Sequence, residues 1–535
     1  MADRARSFWA WGYEDRFPDE EARRALGAQI GGLLGGGALE PRTPPSIDAV
    51  ALPAPRIAPP AALAGLGSSA PRDRIMHTYG RSYRDLARGF RGDFAAAPDW
   101  VAYPGDEEEI AAILRWCSDA RIAAIPYGGG TSVVGGVEGG AGGRGVVSID
   151  LRRLDRVLEV DPVSRAARIQ AGARGPGIEE QLAPHGLTLR HYPQSFEFST
   201  LGGWIATRAG GHFATLHTHI DDFVEAVRMV TPAGMYATRR LPASGAGPSP
   251  DRLALGSEGI LGVITEAWLR VQARPRFRAS ASVVFRSFDD GVRAARALAQ
   301  SGLHPSNCRL LDRTEALLNG VGGDGGATLL LGFESADHPL NAWIERALAI
   351  AAEAGGACPE GPVLRDDGEA GKAAAAATYR QSFFQAPYLQ SALVSLGVVA
   401  DTFETACTWD RFDALHAAVR GAVEEAMAQA CGGGVLACRF THVYPDGPAP
   451  YYTFLAKGRE GEEIAQWEAI KRAAGDAVAA AGGTITHHHA VGRFHRPWYD
   501  RERPEPFALA LRAAKRAIDP AGIMNPGVLV DPEGD

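Results

Sequence analysis

The sequence predicts an α+β protein in which a mixed αβ domain is followed by a second sheet covered by helices. From Trp100 onward, short apolar strands alternate with a helix and with glycine loops, which is typical of an αβ domain. After about residue 275 the pattern changes to longer strand–helix units, which predicts a separate sheet. We expect an arm and connector over 1–95, the first domain over 96–275, the second over 276–480, and a C-terminal segment over 481–535.

The N-terminal part is predicted to be an arm on an extended connector. Residues 38–72 are rich in proline and alanine, a composition that favours a polyproline-like chain over a packed helix. In the first domain, "DWVAYPG" predicts a strand and "DEEEIAAILRWCSDA" a helix with acidic residues in its first turn. Strands are also expected at "IAAIPYGGGTS", "GVVSIDL", "RAARIQAG", "EAVRMVTP" and "LGVITEAWLRVQ".

Composition excludes several classes of protein. The chain has 535 residues, 46% of them apolar, so it can bury large cores. Its net charge is −8 and its basic residues are scattered, which argues against nucleic acid as a partner. Six cysteines without a CxxC pair indicate neither a disulfide framework nor a zinc ribbon. This cysteine usage fits a reducing cytoplasm. No apolar stretch approaches the roughly 20 residues that span a bilayer.

Three glycine-bearing loops in the first domain indicate where a ligand binds. In "PYGGGTSVVGG", Gly128, Gly129 and Gly130 let backbone N–H groups converge on a phosphate without obstruction by a Cβ atom. A glycine cluster taken alone is equally well a flexible loop. However, "HYPQSFEFSTLGGWIATRAGG" and "LGSEGILGVITEAWL" add two more polar, glycine-bearing loops. Together the three loops predict a long cofactor that contains phosphate.

These segments resemble the flavoproteins of the vanillyl-alcohol oxidase and p-cresol methylhydroxylase type, and within them the alkyldihydroxyacetonephosphate synthase family. The resemblance implies a two-part FAD-binding domain, an α+β cap domain that binds substrate, and a C-terminal segment that returns to the active site. FAD is expected to be noncovalent, because the loop "IPYGGGTSVVGG" contains no histidine or cysteine. The implied cofactor contacts are Pro126, Tyr127, Gly128, Gly129, Gly130, Thr131, Ser132, His191, Gln194, Ser195, Phe196, Glu197, Phe198, Ser199, Thr200, Thr207, Arg208, Ala209, Gly210, Glu258, Gly259, Ile260, Leu261, Gly262, Val263 and Ile264.

The same resemblance implies catalytic residues in the cap. "NCRLLD" places Arg309 near the flavin ring, "CRFTHVY" makes Arg439 a substrate-binding residue, and "PYYTF" makes Tyr451 the catalytic tyrosine. From the residues alone, "GGVLACRFTHVYPDGPAPYYTFLAKG" predicts a hairpin with Arg439 and Tyr451 on its two strands. Its register stays open, and a slip of one residue turns either side chain to the other face. A surface arginine and a core tyrosine are the alternatives.

Three consecutive histidines, His487, His488 and His489, complete the implied active site. In an extended chain, His487 and His489 share one face and His488 takes the other. A metal site is not expected, since no matching carboxylate or cysteine cluster supplies further ligands. The remaining alternatives are a solvated histidine run and an active-site wall whose imidazoles relay protons, and the second is favoured.

The resemblance implies an enzyme that exchanges the acyl group of acyl-dihydroxyacetone phosphate for a long-chain alcohol through a flavin N5 adduct, without net redox change. Tyr451 then moves a proton, and Arg439 with protonated histidines stabilises its phenolate. The alternative is an FAD-linked dehydrogenase or oxidase of a 2-hydroxy acid or related alcohol. Such enzymes usually show "HxGDGNLH" and "EHG", where this chain has "THVYPDGPAPYY" and "HHHAVG". A flavin-binding protein without catalytic activity is a third, weaker alternative.

The expected partners are small-molecule substrates, namely a dihydroxyacetone phosphate ester and a long-chain alcohol, and a second copy of the chain in a homodimer. Because a long-chain alcohol is scarcely soluble, peripheral membrane contact is expected through the aromatic "FWAWGY" arm or an apolar cap helix. Packing of Phe8, Trp9 and Trp11 onto the protein's own core is the alternative.

Overall fold

The computed structural model describes residues 4–139, 143–213, 215–321, 326–366 and 374–531, with side chains throughout except for 374–384. Helices and sheets are mixed along the chain, as the α+β prediction requires. Within the described ranges, every helix is too short or too polar to cross a bilayer.

The N-terminal arm packs onto the rest of the protein. Its helices are α1 (Glu20–Leu33), α2 (Pro71–Met76) and α3 (Tyr83–Phe90). Trp9 and Trp11 are buried, and the Trp9 ring meets Phe90 edge to face at 4.9 Å between ring centroids. The aromatic arm is therefore part of the core, as the alternative interpretation expected, and the predicted membrane contact through this arm is wrong.

The first domain contains two main sheets. Its strands are β1 (Gly67–Ser68), β2 (Trp100–Ala102), β3 (Ala123–Tyr127), β4 (Val146–Asp150), β5 (Val157–Asp161), β6 (Ala166–Gln170), β7 (Leu187–Thr188), β8 (Val224–Thr231), β9 (Gly234–Ala237), β10 (Val263–Arg270) and β11 (Gln272–Ala273). Its helices are α4 (Glu107–Asp119), α5 (Gly175–Leu182), α6 (Leu201–Thr207) and α7 (Asp251–Ala254). The strand orders are β1-β2-β4-β3 and β5-β6-β10-β8-β9, and β7 pairs with β11.

Local sequence accounts for the elements that lead to the glycine loop. Asp106 caps α4 by accepting the Glu109 N–H at 2.9 Å, and acidic residues in the first turn favour the positive end of the helix dipole. Strand β3 runs parallel to β4 and ends at Tyr127, so the glycines that follow lie at the carboxyl end of a parallel strand. This edge is where open αβ sheets bind their ligands.

The second domain is one seven-stranded sheet covered by helices. Its strands are β12 (Phe277–Phe285), β13 (Asn307–Asp312), β14 (Ala327–Ser335), β15 (Val363–Asp366), β16 (Val398–Glu404), β17 (Val435–Val443) and β18 (Pro448–Lys457). Its helices are α8 (Phe288–Ala299), α9 (Arg313–Leu318), α10 (Asn341–Glu353), α11 (Ala374–Ser395), α12 (Phe412–Cys431) and α13 (Glu463–Ala480). The strand order is β15-β12-β14-β13-β17-β18-β16.

The predicted hairpin is β17 and β18, and its register is now defined. Arg439 of β17 lies directly opposite Tyr451 of β18, and Tyr451 in turn lies opposite Glu404 of β16. Directly opposed residues point to the same face of an antiparallel sheet. One face of the cap sheet therefore carries a row formed by Arg439, Tyr451 and Glu404.

The C-terminal segment crosses back to the first domain. After α13, residues 482–495 form irregular turns before α14 (Arg496–Glu502) and α15 (Glu505–Ile518). The Asn525 N–H then donates to the Ala124 carbonyl of β3 at 3.0 Å. The histidine triplet lies within the turns and not in a strand, so its expected alternation between two faces is wrong.

Candidate active site

A cavity of about 1120 Å³ lies between the glycine loop, one face of the cap sheet and the histidine segment. The predicted cofactor residues on its wall are Pro126, Tyr127, Gly128, Gly129, Gly130, Thr131, Ser132, Gln194, Ser195, Ser199, Thr200, Thr207, Ala209, Gly210, Glu258, Gly259, Gly262 and Ile264. Arg309, Arg439, Tyr451, His488 and His489 line the same cavity. The structure thus brings the cofactor segments and most of the catalytic candidates to one space.

Nine predicted residues do not line this cavity in the described part of the chain. They are His191, Phe196, Glu197, Phe198, Arg208, Ile260, Leu261, Val263 and His487. His191 is fully buried, with its ring 5.0 Å from that of Trp204, and neither of its ring nitrogens has a partner among the described residues. Burial lowers the pKa of His191 to about 3, so it is a neutral imidazole behind the wall.

The glycine loop fits a phosphate-containing cofactor. A Cβ atom on Gly128 would lie 2.1 Å from Thr200 Oγ1, and one on Gly129 would lie 2.0 Å from the Phe198 carbonyl oxygen. Glycine is therefore required for the loop to pack against the segment of residues 194–200. Thr200 Oγ1 is buried without a partner among the described residues, and a polar ligand in the cavity would satisfy it.

Gly129→Ala is expected to remove most of the bound FAD, because the added methyl group displaces the loop from residues 194–200. Gly177→Ala is the control, since nothing lies within 4 Å of a Cβ atom at that position. The measurement is the FAD released by acid precipitation of each purified protein. Full FAD content in Gly129→Ala would contradict the assignment of this loop to the cofactor.

Tyr451 occupies the polar face of the cavity beside Arg439. Its hydroxyl donates to Thr402 Oγ1 at 2.8 Å, and the Arg439 guanidinium carbon lies 4.0 Å from the centroid of its ring. Burial raises the pKa of Tyr451 to about 12, although the Arg439 charge works in the opposite direction. Arg439 also pairs with the Glu315 carboxylate, so its positive charge is already partly balanced.

Arg309 reaches the same cavity from β13. Its side chain is buried, and one guanidinium nitrogen donates to the His212 carbonyl at 3.1 Å. Because β13 is the neighbour of β17 in the sheet, with Leu311 opposite Arg439, the cap supplies two arginines to one wall.

Glu404 organises the histidine triplet. Its carboxylate accepts the backbone N–H groups of His487, His488 and His489 at 2.7, 3.1 and 3.0 Å, and the Thr486 hydroxyl at 2.7 Å. Burial opposes ionisation, but the neighbouring imidazoles of His488, His489 and His487, with a side-chain hydrogen bond to His488, hold the pKa of Glu404 well below its usual range. The carboxylate therefore holds the three histidines in a turn.

Sequence reasoning missed Glu404 entirely. It ends an ordinary apolar strand, "VVADTFE", and belongs to no motif. Thr402, Glu315 and His219 were missed for the same reason, whereas His442 and Tyr444 lie in the quoted segment "CRFTHVY" but received no role. Contacts between residues far apart in the chain, among them the register of the cap strands, bring these residues together.

Backbone partners define the tautomers of the histidine cluster. The His219 Nδ1 atom lies 3.0 Å from the Arg208 carbonyl, which only accepts, so this nitrogen carries the proton. His219 Nε2 therefore accepts, and His487 Nε2 carries a proton that is shared between His219 Nε2, 3.2 Å away, and the Tyr444 oxygen, 2.7 Å away. His487 Nδ1 is then an acceptor that faces His488 Nδ1 at 3.0 Å. It follows that His488 carries its proton on Nδ1 and has its Nε2 free to accept one.

Burial keeps the imidazoles of His442, His487 and His489 neutral. Burial, together with the neighbouring histidines, lowers the pKa of His442 and His487 well below the usual value. Burial also lowers the pKa of His489 in this way, although the Glu404 charge works in the opposite direction. These three imidazoles therefore hold no proton charge at neutral pH. The expectation that protonated His487 and His489 stabilise a phenolate needs correction, and Arg439 is left as the cation that touches the Tyr451 ring.

Three of these imidazoles are close enough to hold a metal ion. Ligand atoms of His442, His487 and His488 all lie within 4.8 Å of one another. However, His442 Nε2 lies 2.9 Å from the Gly211 carbonyl and must donate to it, and His487 Nδ1 already faces His488. Hydrogen bonds thus account for the arrangement, and the metal-free site stays a prediction.

Comparisons with known proteins agree with this site. Residues 98–238 match the family described as "FAD binding domain", and residues 274–529 match "FAD linked oxidases, C-terminal domain". The chain is 30% identical over 487 residues to the alkyldihydroxyacetonephosphate synthase of Trypanosoma brucei brucei. The aligned region covers 85% of this chain and 77% of that protein.

Solved structures show the same architecture. An alkyldihydroxyacetonephosphate synthase structure covers 97% of this chain and 98% of its own, with a TM-score of 0.79 and 25% identity. A p-cresol methylhydroxylase structure covers 89% of this chain with a TM-score of 0.68 and 15% identity, which is a similarity of fold alone.

Fold and cavity together define a flavoprotein enzyme with an FAD-binding domain of the p-cresol methylhydroxylase type, a cap domain and FAD as its cofactor. Within that class, the chain belongs to the alkyldihydroxyacetonephosphate synthase family. The predicted fold class, cofactor and family are confirmed.

Proposed function

We propose that the protein exchanges the acyl group of acyl-dihydroxyacetone phosphate for a long-chain alcohol, forming an ether bond without net redox change. The shape of the cavity carries this proposal. Beyond the polar face, the cavity continues along an apolar wall made by Leu26, Ile30, Leu33, Leu317, Leu318, Leu389, Leu393, Val435 and Leu455. Burying each methylene group contributes about 0.8 kcal/mol, so this wall favours a long alkyl chain. A short 2-hydroxy acid has no alkyl chain to bury against this wall.

Each polar residue has a role in this proposal. The bound flavin supplies the electron-accepting ring next to which the acyl and alkyl groups are exchanged. Arg439 and Arg309 hold the phosphorylated substrate, because their guanidinium groups suit phosphate oxygens. Tyr451 removes and returns the proton at C1 of the substrate. His488 accepts a proton at its free Nε2 atom, and His489 forms part of the cavity wall.

FAD is proposed to be noncovalent. The glycine loop contains no histidine or cysteine, and His191, the nearest candidate for a tether before the flavin loop, lies behind the cavity wall. The acid precipitation described for Gly129→Ala tests this in the wild-type protein, where all of the yellow colour should leave the polypeptide.

The proposed activity is tested by offering both substrate classes to the FAD-loaded protein. A radiolabelled long-chain alcohol with acyl-dihydroxyacetone phosphate should give a labelled ether lipid and free fatty acid in equal amounts. The 2-hydroxy acids should reduce neither the flavin nor an added electron acceptor. Reduction by a 2-hydroxy acid, with no label incorporated, would overturn the proposal in favour of an oxidoreductase.

We propose that the mouth of the cavity contacts a membrane surface. Leu33, Leu317 and Leu389 line the cavity and are also 45%, 65% and 42% exposed, so together they form an apolar rim at its opening. An exposed apolar rim suits the interface of a bilayer, where long-chain alcohols collect.

Wild-type protein is expected to float with liposomes, whereas a variant with glutamate at positions 33, 317 and 389 should stay at the bottom of the gradient. Leu241→Glu is the control, because Leu241 is 47% exposed and lies outside the cavity wall. Wild-type protein that does not float, with or without substrate, would remove the membrane proposal.

The protein is also proposed to be a cytoplasmic homodimer. The unpaired cysteines of the described residues support a reducing compartment. Light scattering should give twice the chain mass of 56.6 kDa, and the mass of a single chain would reject the dimer.

A further inference from the structure

A second cavity, of about 1270 Å³, lies on the other side of the histidine segment. Its wall includes Tyr444 and the acidic residues Asp410, Asp446, Asp476 and Glu502. All four acidic residues are exposed, so this cavity is open to solvent. It carries no residue of the proposed exchange reaction, yet it approaches the active site closely.

A continuous series of hydrogen bonds joins the two cavities. His488 lines the active-site cavity, and its Nδ1 atom lies 3.0 Å from Nδ1 of His487. His487 lines neither cavity, and its Nε2 atom lies 2.7 Å from the Tyr444 hydroxyl. Tyr444 lines the second cavity. The series therefore runs from the reacting space to solvent through three side chains.

The proposed function creates a need for such a connection, and the inference rests on that function. Exchange converts an ester and an alcohol into an ether and a fatty acid. A carboxylic acid with a pKa of about 4 ionises at neutral pH. One proton is therefore released in every turnover.

We propose that His488, His487 and Tyr444 conduct this proton from the active site to the second cavity. The proton arrives at the free Nε2 atom of His488, and the Nδ1 proton of His488 passes to Nδ1 of His487. The Nε2 proton of His487 passes to the Tyr444 oxygen, whose own hydroxyl proton goes to a water molecule. Each group gives one proton and gains one, so no charge remains in the protein.

The surroundings of the series suit this role. Burial raises the pKa of Tyr444, so the phenol stays neutral and can both donate and accept a hydrogen bond. Its present acceptor, Thr218 Oγ1, is 3.4 Å away, a long bond that the hydroxyl readily exchanges for water. The exposed carboxylates of the second cavity then attract the released proton.

Tyr444→Phe tests the path, because it keeps the ring and deletes only the oxygen that conducts the proton. We expect kcat to fall about tenfold or more, toward the 10²-fold scale on which acid–base groups act, with KM and FAD content unchanged. The solvent deuterium isotope effect on kcat should rise, and added imidazole should restore part of the rate. Tyr236→Phe is the control. It deletes a hydroxyl that donates to the Pro250 carbonyl, and neither residue lines either cavity, so turnover should not change.

A second variant guards against a merely structural effect. His487→Gln interrupts the same path, so combining it with Tyr444→Phe should slow turnover no further than the slower single variant does. An unchanged kcat and isotope effect in Tyr444→Phe, or a loss that imidazole cannot restore, would overturn the path while wild-type exchange persists. If the wild-type protein exchanges no alcohol, the proposed function is wrong. The proton path is then also rejected, because no exchange reaction releases a proton for it to conduct.

Discussion

Tyr451→Phe is expected to fold and bind FAD as the wild-type protein does, and to lose about two or more orders of magnitude in kcat. The substitution deletes one oxygen, which donates to Thr402 Oγ1. The ring keeps its contact with Arg439 and its stacking on His488, with 6.0 Å between ring centroids. What is lost is the group proposed to move the proton at C1 of the substrate.

The high pKa of Tyr451 adds a pH dependence to this prediction. Burial raises the pKa to about 12, so only a small fraction of the residue is phenolate at neutral pH. As long as the pH is below the pKa, the phenolate fraction grows about tenfold for each unit by which the pH rises. Wild-type kcat should therefore rise with pH through the neutral range, and the residual activity of Tyr451→Phe should not follow it.

Tyr452→Phe is the matched control, because Tyr452 is the next residue along β18 and points to the opposite face of the sheet. Its buried hydroxyl lies 3.0 Å from His416 Nδ1, and its removal should affect stability more than turnover. Near-wild-type exchange by FAD-replete Tyr451→Phe would reject the acid–base role. Loss of FAD or solubility would instead support a core tyrosine.

Glu404→Ala is expected to lower the free energy of unfolding by about 3–5 kcal/mol, the range for breaking a buried charged network, and to abolish turnover. The change leaves the three backbone N–H groups of His487, His488 and His489 and the Thr486 hydroxyl without their acceptor, and each buried donor left unsatisfied costs about 1–3 kcal/mol. The histidine turn then loses its shape.

Denaturant unfolding measures this effect, with Glu424→Ala as the control. Glu424 is exposed on α12 and pairs with Arg420, so its removal should change the stability by no more than about 0.5 kcal/mol. A Glu404→Ala protein with wild-type stability and turnover would show that the carboxylate does not organise the triplet.

The stabilisation by Glu404 should also depend on pH. Its pKa in the folded protein is held well below the unfolded value of about 4.3. A carboxyl group with a lowered pKa stabilises the fold above the unfolded pKa and loses that contribution as pH falls through the folded one. The stability gap between wild-type protein and Glu404→Gln should therefore narrow below about pH 4.3, and a gap that stays constant would contradict this account.

Local sequence was enough for much of the fold. The glycine loop follows a parallel strand, α4 begins at its acidic cap, and Arg439 and Tyr451 lie on the two strands of a hairpin, as their patterns predicted. These features depend on neighbours within a few residues, and turn and capping chemistry reports them directly.

What the sequence could not predict depends on distant contacts. The histidine triplet is not extended, because Glu404, more than 80 residues earlier in the chain, gathers its N–H groups. The register that sets Glu404 beside Tyr451 arises from pairing of β16 with β18. His191 matches the family motif but is buried and does not line the cavity. No periodicity within one segment carries such information.

The central claim is that the bond between C1 of the substrate and its ester oxygen is broken and replaced by a bond to the alcohol oxygen. Mass spectrometry of the products formed from a long-chain alcohol labelled with ¹⁸O at its hydroxyl group tests this directly. The account predicts ¹⁸O in the ether bond of the alkyl product and none in the released fatty acid. Label found instead in an ester of the fatty acid would show simple acyl transfer to the alcohol and would contradict the account.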